Sequence, residues 1–103
     1  MKVSNSTGNF TIDTAGDIIL DADGGDITFK DDGTEFGHIS NAGTNLQITS
    51  AISDNDVLIV GNDGGSTITP LILDMSAGGA AIFSDQITLG GNLVHAGNFT
   101  VDA

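Results

Sequence analysis

Closely spaced aspartates are the side chains of this sequence best suited to bind a ligand. The run DADGGD places Asp21, Asp23 and Asp26 within six residues, and carboxylate oxygens at such spacing suit Ca²⁺. An EF-hand loop, however, needs Asp or Asn at its fifth position, where this chain has Gly25, and a Glu at its twelfth, which is missing. We therefore take the three aspartates as candidate Ca²⁺ ligands and prefer ordinary turn chemistry as the reason for their spacing. No other cofactor is predicted.

The two histidines, His38 and His95, are candidates for a metal site only through symmetry. Each lies in a predicted strand, far from the other in sequence. Three copies of either residue around a three-fold axis would supply imidazole ligands for a transition metal. A packed or solvent-facing histidine is the simpler interpretation, and we prefer it.

Residues for catalysis are scarce. The chain contains no Cys, Tyr or Arg, and neither histidine accompanies a serine in a GxSxG-type motif. The Trp and Tyr platforms that commonly hold sugars are also missing. The sequence therefore predicts a non-enzymatic protein with no catalytic residue.

The residue composition predicts an all-β fold. Ile, Val, Thr and Phe are abundant, whereas Glu occurs once, Lys twice and Arg not at all. The first group favours strands, and the second usually fills helix surfaces. The 15 glycines supply turns with positive φ.

The same composition leaves little material for a core. The 103 residues include five Phe, no Trp and no Tyr, and a chain of this size buries only about 65 % of the surface that its unfolded form exposes. No disulfide is available to staple the fold, and the many glycines raise the entropy cost of ordering. We therefore expect several copies of the chain to share their burial in an oligomer.

The net charge disfavours two classes of partner. The formal net charge is −12, which disfavours nucleic acid and anionic membranes because both require a basic surface. No apolar run is long enough to insert into a bilayer. Half of the acidic residues stand beside Gly or Asn, and we interpret the acidic residues as solvated turns that keep the protein soluble.

Short alternating apolar stretches separated by Gly, Asn or Asp predict strands along most of the chain. DVLIVG is apolar on both faces and is typical of a strand between two packed layers. Pro70 predicts a kink or bulge in a strand at the edge of a sheet. The predicted strands are 9–13, 17–21, 26–30, 35–40, 45–49, 56–60, 67–75, 80–83, 86–89, 92–95 and 98–101.

Two repeats suggest a modular organisation. GDIILDADG at 16–24 is followed directly by GDITFKDDG at 25–33, and GNFTID at 8–13 returns as GNFTVD at 97–102. Strand-turn units of about nine residues build β-solenoids and fibrous β-folds. We divide the chain into a flexible leader at 1–7, a strand-repeat module at 8–96 and the start of a second module at 97–103. The predicted assembly residues of the repeated hexapeptide are Phe10, Ile12, Phe99 and Val101.

The C-terminal third, LILDMSAGGAAIFSDQITLGGNLVHAGNFTVDA, resembles the repeats of marine bacteriophage tail-fibre and related virion structural proteins. Those repeats combine a DMS-x-x-G-x-A-x-F strand pair with I-T-L-G-G-N-L-x-V-x-G elements. The segments at 16–41 and 55–76 are similar in style, whereas His95 replaces a residue that is usually small and polar or β-branched. The resemblance implies a homotrimeric fibre, either a triple β-helix or a β-prism, located extracellularly on a virion. A single-chain β-solenoid or a β-sandwich remains the alternative fold.

The predicted function is that of a stiff spacer in a phage tail fibre or similar virion appendage, which supports host attachment. Its predicted partners are further copies of itself and other virion proteins. One alternative is a module that decorates a capsid or binds a receptor such as a host cell-surface glycan. Another is a filament subunit that exchanges a terminal strand, with GNFTVD of one copy replacing GNFTID of the next.

Overall fold

A computed structural model describes residues 1–102 and shows an all-β chain with two separate antiparallel sheets. The strand order is β1-β2-β3 in the first sheet and β4-β5-β6 in the second. No helix occurs within residues 1–102. The strands are β1 (Asp26–Asp31), β2 (Thr34–Ala42), β3 (Asn45–Ser50), β4 (Val57–Asp63), β5 (Ser66–Asp74) and β6 (Ala80–Phe83).

Three of the connections between strands are two-residue hairpin loops. Asp32–Gly33, Gly43–Thr44 and Gly64–Gly65 all have positive φ at both residues, which is the conformation of a type I′ turn and matches the twist of the strands. Asparagine side chains support two of these turns. Asn41 Oδ1 accepts a hydrogen bond from the Thr44 N–H at 2.9 Å, and Asn62 Oδ1 accepts one from the Gly65 N–H at 2.8 Å.

Thr44 is a strained residue in the second of these turns, and its replacement is a direct test of turn geometry. A β-branched side chain at φ 80° costs about 1–2 kcal/mol relative to glycine, partly offset by the greater entropy of an unfolded glycine. We expect Thr44→Gly to raise the free energy of unfolding by about 0.5–1 kcal/mol, measured by urea denaturation at fixed protein concentration. Gly65 occupies the equivalent second position of the loop between β4 and β5 and provides the control. Gly65→Thr should lower the free energy of unfolding. Equal effects of Thr44→Gly and Gly65→Thr would contradict this account.

A β-bulge interrupts the first sheet at Phe36. Phe29 pairs with Gly37 and Lys30 pairs with Glu35, so Phe36 has no residue opposite it on β1. The Phe36 carbonyl instead accepts a hydrogen bond from the Ala51 N–H at 3.0 Å, on the β3 side. The extra residue turns the Phe36 ring to the same face as Phe29, with ring centroids 6.3 Å apart.

The predicted bulge at Pro70 is confirmed, but the predicted edge position is wrong. Ile59 pairs with Leu71 and Gly61 with Ile68, so Val60 faces two residues of β5. β5 is the central strand of its sheet. It tolerates the proline because Pro70 lies beyond the end of β6, where its carbonyl accepts the Ser84 N–H at 3.1 Å. Since proline has no N–H to return this bond, the ladder with β6 ends there.

Five predicted strands, at both ends of the chain, are not formed. Each needs a neighbouring backbone to complete its hydrogen bonds, and no β-pairing reaches these segments in the described part of the chain. Only the second of the two nine-residue repeats therefore folds as a strand and turn, as β1 and its hairpin. The unformed strands are 9–13, 17–21, 86–89, 92–95 and 98–101.

Candidate functional site

The candidate Ca²⁺ ligands do not assemble into a metal site within residues 1–102. Asp21 and Asp23 border an open cleft of about 610 Å³, opposite Asn41 and Asn45. Asp26 begins β1, where it pairs with Ser40. No group of three or more His, Cys, Asp or Glu side chains in the described chain is placed to hold a metal ion.

His38 contacts Glu35, a partner that the strand pattern of the sequence did not predict. Its Nδ1 lies 2.8 Å from Oε1 of Glu35. Residues i and i+3 of a regular strand point to opposite faces, but the bulge at Phe36 inserts one residue and returns Glu35 to the His38 face. His95 packs edge-on against the Phe99 ring, with centroids 5.4 Å apart. A metal site built from three symmetry-related copies of either histidine stays a prediction.

The predicted assembly residues of the repeated hexapeptides lie in the segments without strand structure. Their side chains are exposed, and no β-pairing joins the two hexapeptides within residues 1–102. The four residues are Phe10, Ile12, Phe99 and Val101. In this single chain, therefore, the hexapeptides present apolar side chains and unpaired backbone to the solvent.

The first sheet has one apolar face and one polar face. Register and alternation place Lys30, Glu35, His38 and Gln47 together on the polar face. The opposite side, which we call the first sheet's apolar face, remains accessible, and Leu46 is 78 % exposed. Its members are Ile27, Phe29, Phe36, Ile39, Leu46 and Ile48.

The second sheet is apolar on both sides, but the two packed layers that DVLIVG predicted around β4 are not formed within residues 1–102. Leu58 pairs with Ile72 and Ile72 with Ile82, and Val60 shares their side because it lies two residues from Leu58. We call this side the Leu58 face. The other side, which we call the Val57 face, comprises Val57, Ile59, Ile68, Leu71, Leu73 and Phe83.

Each of these three apolar faces remains at least partly exposed in residues 1–102. No hydrophobic side chain of the described chain is buried, and Gly37 is the only buried residue among residues 1–102. The radius of gyration is 18.7 Å, whereas a compact chain of this length has about 13 Å. The strands contact their neighbours within each sheet, and the two sheets do not pack broadly on one another.

The accessible surface gives the size of the deficit. The chain exposes 9146 Å², whereas a folded monomer of 10.4 kDa exposes about 5,400 Å². About 3,700 Å² per chain is therefore left unburied by comparison with a self-sufficient domain. The described chain thus exposes an extended apolar surface that a self-sufficient domain would bury. We take this surface as the candidate functional site.

Comparison of the chain with family models, with curated proteins and with solved structures returned no match. Among residues 1–102, no helix is long and apolar enough to cross a membrane.

The composition predicted that copies of the chain share their burial, but it did not predict which faces of the sheets are left exposed. The alternation in VLIV already assigns Leu58 and Val60 to one side and Val57 and Ile59 to the other. The strand register decides that Ile72 and Ile82 join the Leu58 face and that Phe83 joins the Val57 face. A single sequence does not directly indicate this register.

Proposed function

We propose that this chain is a structural, non-enzymatic segment of a phage tail fibre or a similar virion appendage, in which three copies assemble into a stiff spacer. The observation that carries the proposal is the absence of any buried hydrophobic side chain within residues 1–102. Sheets with uncovered apolar faces gain stability when copies of the chain bury those faces together. The sequence resemblance to tail-fibre repeats supports the virion context.

The area deficit favours a trimer over a dimer. If each chain covers about 3,700 Å², a closed trimer distributes this burial over three contacts of about 3,700 Å² each, counting both partners. That value lies within the range of about 2,000–5,000 Å² found for permanent interfaces. A dimer would need a single contact of about 7,400 Å², which is larger than most permanent interfaces.

Small-angle X-ray scattering combined with limited proteolysis tests the spacer. At a concentration where assembly is complete, we expect an elongated particle whose strand regions resist proteinase K, because their backbone is hydrogen-bonded and their apolar faces are covered. A compact, globular particle or rapid digestion of the strand regions would contradict the proposal. Binding of the isolated chain to host cells or a glycan array would instead favour the adhesin alternative.

The unpaired hexapeptides favour a second candidate function, that of a filament subunit that exchanges its terminal strand. In the single chain, GNFTID and GNFTVD both lack a β-partner, and an unpaired strand can complete the sheet edge of a neighbour. Deleting residues 97–103 separates the two functions. The deletion should abolish polymerisation of a strand-exchanging filament and leave the trimeric spacer largely intact.

A further inference from the structure

The Leu58 face is the apolar surface that the chain's own sheets are least able to cover. Its side chains run across all three strands of the second sheet through the register of Leu58, Ile72 and Ile82. Leu58 is 53 % exposed, Val60 54 % and Ile82 46 %. All three side chains are thus about half exposed.

The first sheet's apolar face meets one end of the Val57 face at a small cleft. Val57 lines a cleft of about 250 Å³ together with Phe29, Phe36 and Ile48 of the first sheet. Closure of the two sheets about the connection at 51–56 would cover the first sheet's apolar face with the Val57 face. The Leu58 face points away from that cleft because successive side chains of a strand alternate between the two sides. It would remain open after such a closure.

Charge and area indicate what covers the Leu58 face. Between Val57 and Phe83 the only charged residues are Asp63 and Asp74, which occupy strand ends. Two copies with a net charge of −12 each therefore meet here without opposing carboxylates at the centre. Closure of the sheets would cover part of the deficit of about 3,700 Å² per chain, and the part that remains on the Leu58 face is available to contacts between copies.

We propose that the Leu58 face packs against the same face of neighbouring copies and forms the centre of the assembly. The inference rests on the self-association in the proposed function and adds the surface that mediates it. The first sheet's polar face, with Lys30, His38 and Gln47, then lies on the outside.

Leu58→Asp tests the inference by placing a carboxylate at the centre of the contact. We expect the complex to dissociate to the 10.4 kDa chain and its affinity to fall at least about 100-fold, because an unpaired charge is costly to bury. Light scattering measures the mass, and circular dichroism should record the loss of strand signal that accompanies dissociation. Gln47→Asp, on the polar face, is the matched control and should keep the wild-type mass.

A second variant keeps the test decisive if Leu58→Asp fails to fold. The chain has no native cysteine, so Leu58→Cys introduces the only thiol. Oxidation should link about two of every three chains, since three symmetry-related thiols leave one unpaired. Gln47→Cys should remain unlinked.

The outcomes separate the inference from the proposed function. A wild-type chain that is monomeric at every concentration overturns both. An oligomeric wild type whose mass is unchanged by Leu58→Asp, or which cross-links as well through Gln47→Cys as through Leu58→Cys, overturns the inference alone. Loss of assembly only on removal of residues 1–24 or 85–103 would assign the contact to the terminal segments and also overturn it.

Discussion

Replacing Gly37 by alanine is expected to disrupt the first sheet. A Cβ at this position would lie 2.8 Å from the carbonyl oxygen of Thr49, and a backbone atom held in a strand ladder cannot move aside cheaply. Gly37 pairs with both Phe29 and Ser50, so any shift spreads to both neighbouring strands. We expect a loss of about 1–3 kcal/mol in the free energy of unfolding, measured by urea denaturation at fixed protein concentration.

Gly61 provides a matched control for this substitution. It also lies in a strand, and a Cβ there would meet only the Cγ1 of Ile68 at 3.9 Å, an ordinary contact. Gly61→Ala should be neutral or should stabilise the protein by about 0.4–1 kcal/mol through the unfolded state. If Gly37→Ala and Gly61→Ala lowered the free energy of unfolding equally, the close approach of Gly37 to Thr49 would not be the reason for the loss.

Ionic strength should shift the assembly equilibrium strongly. Each chain carries a formal net charge of −12, so assembly concentrates like charges that salt screens. The Debye length falls from about 30 Å at 0.01 M to about 3 Å at 1 M. We expect the dissociation constant to fall at least about tenfold over this range, as measured by sedimentation equilibrium in NaCl.

Variants with fewer carboxylates distinguish screening of charge repulsion from the strengthening of apolar contacts that salt can also cause. A triple variant with Asp17→Asn, Asp21→Asn and Asp23→Asn removes three exposed carboxylates outside the strands. It should assemble more tightly than wild type at 0.01 M salt, and its affinity should depend less on salt. An affinity of wild type that does not respond to NaCl would contradict the account.

The sequence predicted those parts of the fold that depend on local chemistry. Alternation in residues such as Ile27 and Phe29, or Leu46 and Ile48, fixed which side of each strand is apolar, and the structure confirms the six central strands. The bulge at Pro70 also followed from a local property, the missing N–H. These features need no information about which strands become neighbours.

Features that depend on pairing could not be predicted in the same way. Pro70 is tolerated in a central strand because β6 ends before reaching it, and Glu35 contacts His38 because of a bulge at Phe36. The terminal segments around Phe10 and Phe99 carry a strand pattern, but the pattern does not say which backbone completes their hydrogen bonds. For the candidate site, the composition likewise predicted that one chain buries too little apolar surface. It did not predict which faces of which sheets would be left exposed.

The central claim is that one copy of this chain cannot bury enough apolar surface to be stable, and light scattering tests it most directly. At low micromolar concentration and moderate salt, the account predicts a single species of about three times 10.4 kDa that loses its strand signal as it dissociates on dilution. A monodisperse particle of 10.4 kDa that keeps its strand signal and unfolds cooperatively at high dilution would contradict it.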